Sequence, residues 1–101
     1  MAKNKKVIIS CAVTGAIHTR SMSEYLPVTA DEVIEHSLAA HEAGAAVLHL
    51  HARDEVDGHP TQDPEEFQKF LPTIQNSCDA VINITTGGGP QMSVEERMKP
   101  A

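Results

Sequence analysis

The sequence has 101 residues, of which 41% are hydrophobic and 22% are charged, a balance that predicts one small folded domain and argues against disorder. Eight basic and fourteen acidic residues give a formal charge of -6, and one tyrosine and two phenylalanines are the only aromatic side chains. Both features argue against nucleic acid as a partner, because no basic stripe or stacking surface is available.

The start of the chain and its cysteines bear on location. Cys11 and Cys78 lack the spacing of a disulfide framework, so we expect reduced thiols. The basic opening and the apolar run from Val7 imitate an export signal, but the run is too short and Ser10 interrupts it. No stretch approaches the ~18 apolar residues of a membrane span. We therefore expect a cytoplasmic protein without a membrane partner.

The first half of the chain predicts a strand, a loop and a helix. Residues 7–13 are rich in β-branched side chains and predict a buried strand. Residues 14–27 are polar and long for a connection, which indicates a functional loop. A capping box of Thr29 and Glu32 begins the first helix, and Gly44 is placed to end it.

Two further strands and helices follow. Residues 45–51 predict the second strand, and a glycine-containing loop over residues 52–62 leads to a helix with Asp63 as N-cap, which ends at residue 76 or 77. Residues 79–86 predict the third strand, followed by the loop GGGP. Ser93 and Glu96 form a further predicted capping box, which begins a last helix.

Strands that alternate with helices at this spacing predict an α/β fold of parallel strands joined by right-handed crossovers. Two architectures fit the pattern, a doubly wound open sheet and a part of a (β/α)8 barrel. In both, ligands bind at the carboxyl ends of the strands. The unusual polar residues of this chain lie at those ends, so we expect a site there.

Two histidines end the second strand. His49 and His51 are two residues apart and are predicted to point to one face, while Leu50 points to the other. Two neutral imidazoles provide two of the three protein ligands of a typical catalytic zinc ion. A pair of structural histidines, hydrogen-bonded in the core, is the alternative. The pattern favours a metal, which needs at least one more ligand.

The third strand carries a second polar feature. Asn83 and Thr85 share a face, and a buried asparagine needs partners, so this face is predicted to line a polar cavity. The following TTGGG offers hydroxyl groups and unhindered backbone N–H groups for a carboxylate or a phosphate. The segment lacks the lysine of a P-loop, and a plain turn explains it equally well.

Five segments in order, CAVTGAIHT, YLPVT, EAGAAVLHLHARD, DGHPTQDPEEF and NITTGGG, give the chain a specific resemblance. The sequence resembles the β-keto acid cleavage enzymes, the family of the 3-keto-5-aminohexanoate cleavage enzyme, over nearly its whole length. The resemblance implies a zinc-dependent (β/α)8 barrel that joins a β-keto acid to acetyl-CoA and releases acetoacetate and a new acyl-CoA. It also implies a homo-oligomer at full length.

The resemblance further implies roles for individual residues. His49 and His51 become zinc ligands, and Thr85 becomes the catalytic hydroxyl residue that holds the substrate carboxylate. Ile17 stands where the aminohexanoate-specific enzyme carries a glutamate for the substrate amino group, which favours a neutral or apolar β-keto acid. The remaining predicted substrate-binding residues are Asn83, Thr86, Gly87 and Gly88.

A complete barrel needs about 250 residues. The resemblance therefore implies that residues 1–101 are the first three β/α units of a (β/α)8 TIM barrel, the truncated N-terminal part of a single domain, and that this chain alone is inactive. The third zinc ligand, a glutamate, and the acid/base and CoA-binding residues would lie in later strands. Two hypotheses stay open beside it, a fragment of a metal-dependent hydrolase barrel and a small non-catalytic metal-binding domain.

Overall fold

The computed structural model describes residues 5–89 and 91–101. Pro90 of the predicted GGGP loop and residues 1–4 of the basic opening lie outside these ranges. In chain order the elements are β1 (Ser10–Ala12), α1 (Ala30–Glu42), β2 (Val47–Leu50), β3 (Ala52–Arg53), β4 (Pro60–Thr61), α2 (Pro64–Gln68), α3 (Leu71–Ser77), β5 (Val81–Ile84) and α4 (Val94–Met98).

The main sheet has three parallel strands in the order β1-β2-β5. Its register places Ala12, His49 and Asn83 side by side in one row across the three strands. Helix α1 connects the first strand pair and α2 and α3 connect the second, and α1 packs against α3. The predicted α/β class with parallel strands is confirmed, and the steadily advancing strand order suits both architectures that the sequence left open.

The hydrophobic core lies between the helices and one face of the sheet. Leu48 and Leu50 of β2 are fully buried there against a cluster of apolar helix side chains, Val33, Phe67, Phe70 and Ile74. The opposite face of the sheet is open, since Val81 on that face is 63% exposed and Asn83 is also exposed. Alternation along each strand thus separates an apolar face from the face that carries His49.

The helix starts agree with the capping residues. Thr29 and Glu32 form the reciprocal capping box of α1. At the other end, Gly44 follows the C-cap residue Ala43 and has a φ of +125°. Asp63 accepts a hydrogen bond at the start of α2, and Ser93 does so at the start of α4. The three N-caps are confirmed because a cap depends on side chains within three residues of the backbone that they satisfy. Of the predicted capping box of Ser93 and Glu96, the structure shows the hydrogen bond from Glu96 N to the Ser93 side chain.

The prediction of a buried first strand over residues 7–13 is wrong for most of that range. Only Ser10–Ala12 is a strand, and Val7, Ile8 and Ile9 are 79%, 76% and 54% exposed. The reason is position, because β1 lies at an edge of the sheet with β2 as its one strand neighbour in the described chain. The other two predicted strands are present but shorter, as Val47–Leu50 and Val81–Ile84.

The predicted second helix is two helices. It breaks at Phe70, whose φ of -121° is not helical, and Pro72 lies in the first turn of α3. A proline inside a continuous helix would lose one hydrogen bond and clash with the carbonyl of Gln68, which accounts for the break at Phe70, two residues before Pro72. The predicted loop over residues 52–62 also contains the short antiparallel hairpin of β3 and β4.

No helix in the described ranges combines the length and the apolar character that crossing a bilayer requires.

Candidate metal and substrate site

The imidazoles of His49 and His51 are neighbours at the carboxyl end of β2. Their ring centroids are 5.0 Å apart, and the rings meet edge to face with an interplanar angle of 82°. Both side chains are half-buried. The two residues lie close together because side chains two apart on an extended chain leave on the same side.

Asn83 is the partner of His49. The two residues are directly opposite in the register of β2 and β5, and His49 Nδ1 lies 2.5 Å from Asn83 Oδ1. Because an amide oxygen only accepts, His49 Nδ1 donates this hydrogen bond, and Nε2 is the ring nitrogen left to bind a ligand. Within the described chain Asn83 is exposed on the open face and finds its partner on the neighbouring strand. That this face lines a polar cavity in the whole protein stays a prediction.

His51 has different surroundings. Its Nδ1 is buried and has no hydrogen-bond partner among the described residues. Burial, followed by the charges of His49 and Arg53, lowers the pKa of His51 to about 4. His51 is therefore neutral at pH 7, the state in which an imidazole binds a metal ion.

The two imidazoles fit part of a zinc site. The neutral His51 with an unpartnered buried nitrogen and the free Nε2 of His49 supply two of the three protein ligands that catalytic zinc takes. Within residues 5–89 and 91–101, no group of three or more His, Cys, Asp or Glu side chains is placed to hold a metal ion. The alternative of two hydrogen-bonded core histidines fits neither residue in full, because His49 has a partner but lies on the open face and His51 has no partner among the described residues.

Thr85 continues the pairing of β5 with β2 beyond the strand end. Its backbone N–H donates to Leu50 O at 3.0 Å, and its side chain is buried. Thr85 Oγ1 accepts from Gly87 N at 2.9 Å, so the hydroxyl hydrogen remains able to donate to a ligand. The N–H of Gly87 is thus already used, whereas Thr86 is exposed beside it.

Gly88 is where the glycine-rich loop packs most tightly. It has a φ of +56°, and a Cβ atom there would lie 2.7 Å from Met92 Sδ, 3.1 Å from Arg97 Cγ and 3.2 Å from Gln62 Cγ. Only glycine fits this position without a shift of its neighbours. The loop is therefore held between the hairpin and α4.

Ile17 lies elsewhere, in the wall of a cavity of about 570 Å³. The cavity is bounded by residues 16–20, by the hairpin turn over residues 55–60 and by residues near Gly89. Neither His49 nor His51 belongs to its lining within the described chain, so the structure does not bring Ile17 and the imidazoles into one cavity.

Two buried polar residues near the site have no role in the sequence-based prediction. Arg53 is 3% exposed and donates to three backbone carbonyls, and Gln62 is 5% exposed and donates to Thr85 O and Arg97 O. The available signal was Arg53 itself, a charged residue two positions after His51 at the end of an apolar strand. Two of its three acceptors, Gly15 and His18, are distant in sequence, so their identity needed the fold.

Comparison with known proteins identifies a family over almost the whole chain. The model of the beta-keto acid cleavage enzyme family matches residues 6–101. A 3,5-dioxohexanoate:acetyl-CoA acetone transferase from Paraburkholderia graminis is 65% identical over 101 residues, which are 100% of this chain and 33% of that protein. A 3-keto-5-aminohexanoate cleavage enzyme from Acetoanaerobium sticklandii is 40% identical over 97 residues, 95% of this chain and 35% of that enzyme.

A third relative acts on a different substrate by its name. The 3-dehydrocarnitine:acetyl-CoA trimethylamine transferase of Rhizobium meliloti is 39% identical over 90 residues, 88% of this chain and 30% of that protein. The chain thus spans about a third of the length of the relatives it matches. The family match favours the cleavage-enzyme hypothesis over the hydrolase barrel and the small metal-binding domain.

Proposed function

The chain belongs to the β-keto acid cleavage enzyme family, and we propose on this basis that it forms the N-terminal part of a zinc-dependent enzyme. The proposed reaction joins a β-keto acid to acetyl-CoA and yields acetoacetate and a new acyl-CoA. The pair of His49 and His51, with one imidazole aligned by Asn83 and the other neutral and unpartnered, is the observation that carries the proposal. Acetyl-CoA appears in the names of two of the relatives described above.

The proposed whole molecule is a (β/α)8 barrel in which residues 1–101 provide the first three strands of one domain. Two observations support it. The strand order β1-β2-β5 advances without reversal, and the packing of α1 on α3 places helices on one side of the sheet. The open face with His49 and Asn83 would then become the barrel interior, and the full-length chain would form a homo-oligomer in the cytoplasm.

The residues of this chain would have separate roles in metal binding and in substrate binding. His49 Nε2 and His51 would hold zinc, and Asn83 would fix the orientation of the His49 ring. Zinc, when bound, supplies a Lewis acid that polarises the keto oxygen of the substrate. Thr85 would donate its hydroxyl hydrogen to the substrate carboxylate, beside the exposed Thr86 and the backbone of Gly87 and Gly88.

The proposed substrate carries an uncharged tail. Ile17 offers no partner for an ammonium group, and the relative that is 65% identical is named for 3,5-dioxohexanoate, a keto acid without an amino group. Ile17→Glu should shift preference toward 3-keto-5-aminohexanoate in an assay with both substrates present. Val94→Glu, at an exposed position of α4, is the control and should leave preference unchanged.

The metal assignment is tested in the full-length protein. His49→Ala and His51→Ala should each lose zinc and acetoacetate formation together, because too few ligands remain to hold the ion. His36→Ala, at an exposed position of α1, should retain both. Elemental analysis and a coupled acetoacetate assay measure the outcome, and full zinc occupancy without either imidazole would disprove the assignment.

A further inference from the structure

Arg53 is a buried cation whose hydrogen bonds all go to backbone carbonyls. Nε and Nη2 donate to Gly15 O at 3.2 and 3.0 Å, and Nη1 donates to His18 O at 2.7 Å and to Gly58 O at 2.9 Å. No salt bridge to Arg53 is formed within the described ranges. A guanidinium that is 3% exposed and bound only to carbonyls fixes the course of the backbone around it.

The carbonyls belong to two segments that are far apart in sequence. Gly15 and His18 lie in the loop after β1, and Gly58 lies in the turn of the hairpin. Ile17 lies between the first two acceptors, and both segments line the cavity of about 570 Å³. The hydrogen bonds of Arg53 to Gly15 and His18 therefore fix the position of the backbone at Ile17.

We propose that Arg53 is a positioning residue that fixes the segment of residues 15–18 against the hairpin turn and thereby sets the selectivity of the enzyme for the tail of its substrate. The selectivity part rests on the function proposed above. The backbone part stands on the contacts alone. Arg53 also lines this cavity, but four of its five N–H groups already donate to backbone carbonyls, so we assign its effect to the loop and not to substrate contact.

The planar fork of arginine explains why this residue type is present. Four N–H groups of one rigid plane reach three carbonyls at once, which a single ammonium on a flexible stem does not reproduce. Arg53→Lys keeps the positive charge and most of the volume but loses the fork. Arg53→Met removes the charge as well and leaves all three carbonyls without this donor.

Gln62, which directly follows β4, offers a matched control. It is also a buried polar residue, but its Nε2 donates to Thr85 O at 3.3 Å and to Arg97 O at 2.8 Å. Gln62→Leu should therefore loosen the segment around α4 and leave residues 15–18 in place. Comparing the Arg53 variants with Gln62→Leu distinguishes an effect on residues 15–18 from a general loss of stability.

The test uses the full-length enzyme and two readouts. The first is the ratio of kcat/KM for 3,5-dioxohexanoate to that for 3-keto-5-aminohexanoate, which should fall about 10- to 100-fold in Arg53→Lys and Arg53→Met with zinc retained. The second is limited trypsin cleavage after Arg20, which follows residues 15–18 and should become faster in both variants. In Gln62→Leu, cleavage after Arg97 should become faster instead.

The outcomes decide the proposal in each case. An Arg53→Lys variant with wild-type selectivity and wild-type cleavage after Arg20 would overturn it, as would an equal loss of kcat/KM for both substrates. Arg53→Lys carries the test alone where Arg53→Met does not fold. Absence of acetoacetate from the unmodified enzyme would refute the proposed function, and the cleavage after Arg20 would still decide the role of Arg53.

Discussion

At the scale of single residues, the two imidazoles show what spacing reveals and what register adds. The interval of two residues between His49 and His51 predicts that their rings meet, and they do. The hydrogen bond of His49 to Asn83 depends on how β2 aligns with β5, and a shift of one residue would remove it. A single sequence does not reveal that alignment, so the partner of His49 was found only in the fold.

Thr85→Val keeps the shape of the side chain and removes its hydroxyl group. We expect kcat/KM to fall roughly 10- to 100-fold with zinc retained, because one hydrogen bond to a charged group contributes about 1.5–3 kcal/mol. Thr85→Ser should restore activity, since it can still accept from Gly87 N and donate to the substrate. Thr73→Val, at an exposed position of α3, is the control, and unchanged kinetics in Thr85→Val would place Thr85 outside the site.

Ser37 is a buried residue whose replacement should stabilise the protein. Its hydroxyl is fully buried in α1 and has no hydrogen-bond partner among the described residues. Ser37→Ala removes this unsatisfied group and raises helix propensity, for an expected gain of about 0.5–1 kcal/mol.

Thermal unfolding of the full-length protein measures the gain, expected as a rise in Tm of about 1–3 °C. Ser77→Ala, at an exposed position near the end of α3, is the matched control and should change Tm less. A fall in Tm for Ser37→Ala would mean that the hydroxyl is satisfied in the whole protein.

At the scale of elements, two glycines with positive φ allow the cost of backbone strain to be measured apart from the cost of side-chain crowding. Gly58 has a φ of +77° and open space where a Cβ would lie, whereas at Gly88 a Cβ would approach Met92, Arg97 and Gln62. Gly58→Ala should lose about 1 kcal/mol through its backbone alone. Gly88→Ala should lose about 1–2 kcal/mol more, because the loop and α4 must move apart. Urea unfolding compares the two variants, and equal losses would contradict the packing at Gly88.

The elements differ in how far the sequence predicts them. Helix starts are set by nearby side chains such as Thr29 and Asp63, and these were predicted to the residue. The break before α3 had a local signal in Pro72 that the apolar pattern over residues 63–77 masked. The hairpin of β3 and β4 pairs Ala52 with Thr61 over two residues per strand, which is too short for any periodicity.

At the scale of the whole molecule, the sheet has one covered and one open face. The covered face explains the core around Leu48 and Leu50, and the open face carries His49 and Asn83. Whether a strand is covered depends on what packs on it, which composition does not specify. That is why residues 7–9, although apolar, are exposed in the described chain. It is also why Asn83, which the sequence predicts to line a polar cavity, is exposed there.

The 101-residue chain expressed alone provides the last prediction. Strands β1 and β5 each have β2 as their one strand neighbour in the described chain, and apolar side chains such as Ile8 and Val81 are exposed beside these edges. Unpaired strand edges promote association between copies, so we expect aggregation or partial unfolding.

The same chain should hold no zinc through gel filtration, because its described residues offer no group of three metal-binding side chains and two imidazoles bind the ion weakly. It should also form no acetoacetate from a β-keto acid and acetyl-CoA. Circular dichroism, elemental analysis and the coupled assay measure these properties, with the full-length protein as the control. A monodisperse, cooperatively melting and zinc-loaded chain would instead establish these residues as a self-contained metal-binding domain.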